Sequence, residues 1–434
     1  MQFGQGCAIG IDFGTTNSVV AVANANGHVE CMRWPTALGT TETFRSALMF
    51  WREGRNLAHA AGPEAIARAL AGDGDQRFVQ SLKSHLASRL FTETRLFGTR
   101  LTIEDLVAIF LRHLFRDILD DGDLQARLRR VPATGGRPVV FAGEKPDETL
   151  AIERLGSAYA AIGLPQINFA YEPLGAAYWY ARALTRDETV LVADFGGGTS
   201  DFSVLRFTCK GGGAGIETQA LAHSGVGVAG DTFDYRIIDH VVAPRLGKGS
   251  NYRSLEKLLP MPAYFYAAFA QWHQLSWLKS AATLSELKAL AGASTVPQRI
   301  EDLVTIVEMD LGFELHRAVG ALKAELSDAR QARFCFHKAG VLLEADVSRD
   351  EFEGWIAADL DKIAVAMDAA VAGAGLESAD IDAVFMTGGT SFVPAIRRLF
   401  TDRFGKERIH LGDAFQSVAS GLALLAADRA SSRA

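Results

Sequence analysis

The chain is poor in cysteine: its 434 residues include four, at Cys7, Cys31, Cys209 and Cys335, with no C-x-x-C pair. That scatter excludes a sulfur-ligated metal cluster and a secreted disulfide framework, and leaves the thiols as small buried hydrophobes. Surplus positive charge is missing too. Lysine and arginine total 44 against 51 acidic residues, a net charge of −7 with no basic stripe, so neither nucleic acid nor an anionic membrane is the expected partner. No apolar run reaches bilayer length, and the N-terminus enters its first strand without the charged-then-apolar order of a leader, so a cytoplasmic monomer is expected. What is abundant is apolar residue, 48% with mean hydropathy +0.09, which excludes disorder and at this length suffices for two cores.

Glycine, with 42 residues, is where the sequence becomes specific. One short turn is written twice, as Asp12-Phe13-Gly14-Thr15-Thr16-Asn17-Ser18 and as Asp194-Phe195-Gly196-Gly197-Gly198-Thr199-Ser200-Asp201. Each copy follows an apolar β-type run (8–11, 190–193) and precedes another (19–23, 202–205), so each reads as a hairpin. Backbone without Cβ lets several N–H groups converge on an anion. Threonine hydroxyls add donors, and Asp12 and Asp194 offer hard oxygen toward a hydrated Mg²⁺. A single copy is as readily a tight turn in an unrelated sheet. Two copies 182 residues apart are a domain length apart, so the simplest account is a duplicated half, 1–188 and 189–434, gripping a Mg²⁺-nucleotide between them.

Along the first half, strands are expected at 7–14, 18–24, 29–34 and 46–51, helix from about 57, and an amphipathic helix over 102–120 with an acidic first turn. A short buried strand is expected at 138–143, then a helix from Pro146 to about 162, stopped by Gly163. Pro173 is expected to hold Glu172 extended with its carboxylate toward an opening, although Glu172 reads equally well as the dipole partner of the following helix. The second half repeats the order: a double strand, a glycine-rich hairpin at 211–215, a strand at 216–223 and a turn at 225–231 before a helix carrying Phe233, Ile237, Ile238 and Val241. Residues 244–319 read as a helical or irregular insertion whose aromatics, Tyr264, Phe265, Tyr266, Phe269, Trp272 and Trp277, are core in preference to a partner patch. A helix ends at Ser327-Asp328, Ser348 caps another running to about 374, and a strand at 381–387 enters Gly388-Gly389-Thr390-Ser391 before a helix with Pro394 in its first turn. Strand, double glycine and helix bring backbone N–H groups against a ribose or α-phosphate.

Taken in order, Ile11 to Ser18, Glu172-Pro173, Asp194 to Thr199 and Gly388-Gly389-Thr390 resemble the nucleotide-binding domain of the 70-kDa heat-shock protein (DnaK) family over about residues 7–427. More narrowly, it resembles the short bacterial members of the YegD type, which hold the ATPase unit without a peptide-binding domain. The resemblance implies an α/β, actin–hexokinase-like ATPase fold: two duplicated lobes around a nucleotide cleft, with an enlarged helical insertion at about 244–319. It implies a chaperone-type protein that binds ATP/ADP with Mg²⁺, hydrolyses ATP slowly, and has protein clients or co-chaperone-like partners.

Carried over to this sequence, the family's pattern places Asp12, Asp194 and Glu172 on the metal side. Gly14, Thr15, Thr16, Asn17, Gly196, Gly197, Gly198 and Thr199 would cradle phosphates, with Gly230 and Asp231 as the phosphate-side loop of the second lobe. Lys83 would be the catalytic lysine, acting with Glu172, Asp194, Asp201 and Thr199 around the metal and the attacking water. Gly388, Gly389 and Thr390 would form a third wall, and Lys323 and Ser327 would lie on the adenosine-binding helix. The chain departs from the pattern at Ala324 and Phe392, which stand where the family has cations on either side of adenine. Beyond the helix at 416–427 no peptide-binding β-sandwich is expected. Three other readings share the architecture: a small-molecule kinase with Asp201 as base, an actin-like scaffold, and a nucleotide sensor.

Overall fold

Two sheets repeat one wiring diagram. The computed structural model describes residues 6–431 apart from 37–38, 72–74, 144, 182–183, 210–215, 271–277, 279, 310 and 412–416. Strands β1 (Ala8–Phe13), β2 (Asn17–Ala23), β3 (Val29–Cys31), β4 (Ala133–Arg137) and β5 (Asn168–Tyr171) form a sheet in the order β5-β4-β1-β2-β3, with a short strand, Phe44–Arg45, beside β2. Strands β6 (Glu188–Phe195), β7 (Ser200–Cys209), β8 (Ile216–Val226), β9 (Ala383–Thr387) and β10 (Ile409–Leu411) form a second in the order β10-β9-β6-β7-β8. In each sheet the central strand has an antiparallel hairpin partner on one side and a parallel strand on the other. Central strands flanked this way are covered on both faces, and the runs Ala8 to Ile11 and Val190 to Ala193 are accordingly buried throughout.

The hairpin registers agree as well. Phe13 pairs with Ser18 and Phe195 with Ser200, leaving Gly14–Asn17 and Gly196–Thr199 as tips of equal length. The repeat of the glycine turn in the sequence thus has a counterpart in topology.

Helices α1 (Ile103–Leu114) and α2 (Glu148–Ala160) cover one face of the first sheet, where Ile9, Ile11, Val20 and Val22 meet Leu106, Phe110, Leu155 and Tyr159. The alternate residues of β2, Val19, Ala21 and Ala23, pack instead on Ala419 and Ala423. Those belong to the last of a further set of helices, α3 (Glu172–Ala181), α4 (Gly230–Ile237), α5 (Gly312–Asp328), α6 (Arg349–Gly373), α7 (Pro394–Phe404) and α8 (Ser417–Ser431). Ala176 and Ala177 of α3 join Val418 and Leu422 of α8 in a core with Val190 and Val192 of β6, so α8 serves both sheets. Glycine allows the close approach: a Cβ on Gly175 would lie 2.8 Å from the Val418 carbonyl oxygen.

The chain divides into two compact units, the first made of residues 1–229, 362–391 and 396–434, the second of 230–361 and 392–395. The first holds both sheets, and the expected boundary after residue 188 falls inside it, where β6 begins. The second holds α4, α5, the start of α6, two further helices (Ala281–Ala293, Pro297–Glu308) and two hairpins (Asn251–Ser254 with Lys257–Pro260, Gln331–Lys338 with Val341–Ser348).

Several local expectations are corrected. The strand expected at 138–143 is β4, five residues earlier: Gly135 and Gly136 lie within it because side chains crowd its backbone. Helix from about residue 57 is instead the strand Asn56–Ala61, paired with Ala47–Glu53, and helix begins only at Gly62. Sheet pairing there overrides the helical preference of its alanines. The helix over 102–120 breaks at Phe115, while Thr102 and Asp105 form a reciprocal cap at its start. Glu172 is not extended; it heads α3, with Pro173 in the first turn where a missing N–H costs nothing. The insertion is not only helical or irregular, since residues 251–260 form a hairpin. Neither face of it is covered, so its sequence shows no alternation. Its aromatics are core at Phe265, Tyr266 and Phe269, whereas Tyr264 is 48% exposed. Trp272, Trp277 and the glycine hairpin at 211–215 lie outside the described residues.

Candidate functional site

Asp12 and Asp194 occupy equivalent places, one residue before the ends of β1 and β6. Asp201 sits directly across the hairpin from Asp194. A short 3-10 turn, Leu82–His85, supplies Lys83, whose ammonium donates to Oε1 of Glu172 at the head of α3. This ion pair is buried, with Lys83 7% and Glu172 8% exposed. Taking two charges out of water costs several kcal/mol per ion, so a surface role does not account for it. The backbone of β4 lies close against the pair: a Cβ on Gly136 would stand 2.9 Å from Cγ of Glu172.

The charges act on one another. The Asp12 carboxyl is held well above its usual range by burial first, then by Glu172 and Asp194, against the pull of Lys83. Burial, Glu172 and Asp201 push Asp194 up to about 7, again opposed by Lys83. Asp201 also rises to about 7 through burial, although a hydrogen bond from the Thr199 hydroxyl (2.9 Å) favours its charged form. For Lys83, burial alone would lower the pKa, but Glu172 and Asp12 outweigh it and the ammonium is strengthened. One cation thus stands among four carboxyl groups. Oδ1 of Asp201 is buried without a partner in good hydrogen-bonding geometry, while the Val140 amide, like the Thr199 hydroxyl, favours the charged form. An anionic cluster with an unsatisfied acceptor suits a hydrated divalent cation. Among the described residues no three His, Cys, Asp or Glu side chains are grouped so as to hold a metal ion directly.

These shifts fix the sign of a pH effect. A carboxyl whose folded pKa lies above its ordinary 3.8 keeps in the fold a proton that the unfolded chain gives up. Its stabilising contribution is full near pH 4 and is lost as pH rises through about 7. Asp194→Asn, which keeps the shape without the charge, should raise the melting temperature at pH 8 in metal-free buffer by about 2–4 °C, a gain that shrinks toward pH 4. Thermal unfolding at both pH values checks this. An unchanged or lower melting temperature at pH 8 would remove the repulsion from the account.

The structure brings Asp12, Lys83, Glu172, Asp194 and Asp201 together, with Thr199 bonded to Asp201. In both tips, glycine is needed or unhindered. A Cβ on Gly14 would run into the Asn17 carbonyl oxygen, and Gly198 has open space. Gly388, with φ +86°, packs against the Phe195 backbone beside the second tip, and Ser391 returns a hydrogen bond of 2.7 Å to its carbonyl. Gly389 and Thr390 continue that turn. The remaining candidates lie in the second unit: Gly230 and Asp231 open α4, and Lys323 donates to the Gly230 carbonyl (3.1 Å) and pairs with Asp234 (2.8 Å). Ser327 donates to the Lys323 carbonyl within α5. Ala324 is exposed, and Phe392 is 44% exposed.

Sequence reasoning missed the layer behind the cluster. The Tyr159 hydroxyl is buried without a hydrogen-bond partner, and its pKa is raised by burial and then by Asp12 and Glu172. Thr134 on β4 likewise buries an unpartnered hydroxyl. The one available signal was Gly135-Gly136, a glycine pair in a strand that marks a close neighbour.

By fold the protein is a mixed α/β protein with two sheets of like order and a charged cluster at their hairpin tips. Residues 309–431 match the family model described as Hsp70 protein. The matched stretch is less than a third of the chain, so the likeness is one of that part of the chain to the family. The matched stretch takes in Lys323, Ser327, Gly388, Gly389, Thr390 and α8, whereas the charged cluster precedes it. No helix among the described residues is long and apolar enough to cross a membrane.

Proposed function

We propose that this chain binds ATP with Mg²⁺ and hydrolyses it slowly, with Lys83, Glu172, Asp12, Asp194 and Asp201 at the reacting centre. The observation that carries the reading is the buried Lys83–Glu172 pair set among three aspartates at the ends of duplicated hairpins. Phosphoryl transfer to water asks for positioning and charge neutralisation more than for covalent chemistry. In this reading the N–H groups of Gly14–Asn17 and Gly197–Thr199 bind the β- and γ-phosphates, the Gly196 N–H closing the second tip on the Thr199 carbonyl (2.9 Å). Lys83 faces the charge on the γ-phosphate, and Glu172 holds the ammonium in place. Asp201, with a pKa near 7 and a free oxygen, accepts the proton of the attacking water. Asp12 and Asp194 would hold the metal, which when bound neutralises phosphate charge. Gly230 and Asp231 would be the phosphate-side loop of the second lobe and Lys323 and Ser327 would lie on the adenosine-binding helix, with Phe392 an aromatic face in place of a guanidinium. Protein clients and co-chaperone-like partners in the cytoplasm belong to the same reading.

Calorimetric titration with ATP, with and without Mg²⁺, followed by phosphate release, tests it. The expected result is one Mg²⁺-dependent site and slow turnover that sugars and short organic acids do not accelerate. No ATP binding would sink the proposal, and acceptor-dependent turnover would transfer the site to a small-molecule kinase.

A further inference from the structure

Lys83 reaches Glu172 from a segment with little regular structure of its own. Immediately before it, Ser81 adopts φ +58°, a left-handed conformation that a side-chain-bearing residue takes only when its surroundings impose it. After the turn the chain runs on through Leu86, Ser88 and Phe91, and one side chain collects its carbonyl groups. Arg154, on the buried face of α2, donates from Nη1 to the carbonyls of Leu86 (2.8 Å) and Ser88 (3.0 Å), with a longer contact to His85 (3.4 Å). Its Nη2 donates to the carbonyl of Phe91 at 2.9 Å, and Nε faces Oε1 of Glu104 from α1 at 3.3 Å. The start of α2 adds a second clasp: the Asp147 amide donates to the Ala87 carbonyl (3.0 Å), and Arg89 donates to the Asp147 carboxylate (2.7 Å).

A buried guanidinium is costly unless its donors are used, and here Nη1 and Nη2 are spent on one short stretch of backbone while Nε has only the Glu104 carboxylate near it and no hydrogen bond. None of these groups touches the charged cluster. What they fix is the backbone from which Lys83 projects. We infer that Arg154 is the positioning residue for Lys83: by gathering the carbonyls of residues 85–91 onto α2, it sets the ammonium against Glu172. The planar fork matters, because an ammonium at the same place reaches fewer carbonyls.

The catalytic half of this inference rests on the hydrolysis reading above; the positional half does not. Two measurements separate them. Without nucleotide, the rate at which acetic anhydride modifies Lys83, read by mass spectrometry of its peptide, reports whether the ammonium is held. It should rise about tenfold in Arg154→Met and less in Arg154→Lys. With ATP, Arg154→Met should lower kcat at least about tenfold with KM within about threefold, and Arg154→Lys should recover part of that loss. Because Arg154 acts through Lys83, adding Arg154→Met to Lys83→Ala should lower kcat no further, whereas independent effects would multiply.

A folded Arg154→Met protein with wild-type acetylation, or multiplying losses in the double variant, overturns the inference. Should Arg154→Met not fold, Arg154→Lys decides it: wild-type acetylation in that variant also overturns it. A wild-type chain that does not turn over ATP defeats the hydrolysis reading, while the acetylation comparison still decides whether Arg154 positions Lys83.

Discussion

Lys83→Ala should lower ATP turnover about a hundredfold or more and, at pH 8, destabilise the fold by about 3 kcal/mol. Both effects follow from one removal. The ammonium is the single cation in a cluster of four carboxyl groups, and deleting it leaves Glu172 buried without its partner and lets Asp12, Asp194 and Asp201 repel one another unopposed. Protonation relieves that repulsion, so the stability loss should narrow as pH falls toward 5. The catalytic loss should not. Adding Glu172→Gln to Lys83→Ala should return part of the stability and none of the turnover, which separates charge balance from chemistry. Denaturant unfolding at pH 5 and 8 with single-turnover hydrolysis of the three proteins makes the comparison. Wild-type stability for Lys83→Ala at pH 8 would mean that the buried pair is not coupled to the aspartates.

The second large effect is steric. Gly10→Ala should destabilise the chain by about 3 kcal/mol or prevent folding, because the new Cβ lands on the Ala419 carbonyl oxygen and the Ala423 amide, with Leu422 carbonyl carbon at 2.9 Å. These are backbone atoms of α8, which cannot rotate away. Gly156 provides the control. It lies in α2 with nothing near its missing Cβ, so Gly156→Ala should stabilise by about 0.5–1 kcal/mol through helix propensity. Melting curves of the two variants should move in opposite directions. A neutral Gly10→Ala would show that α8 is not pressed against β1.

Much of this was legible in the residues because the hairpin tips are local. The buried runs of β1, β2 and β6 are written within a few residues, and the glycines that turn them are adjacent. What could not be read is whatever depends on partners far along the chain. Lys83 looks like a surface lysine until Glu172 is placed beside it, and only the family resemblance singled it out. Arg154 is one arginine among many on an amphipathic helix. β4 was displaced in the reading because a strand written Ala-Thr-Gly-Gly-Arg shows its neighbours' side chains in place of its own. Asn56–Ala61 favours helix by composition and is a strand because Ala47–Glu53 offers it an edge.

The double service of α8 has a bearing on how the molecule is made. Val19, Ala21 and Ala23 emerge early, and the alanines that cover them are translated roughly 400 residues later, which at ordinary elongation rates leaves that face bare for about 20–80 s. During that interval an apolar stripe from the earliest sheet is open to wrong partners, so the nascent chain needs that face shielded until its last helix arrives.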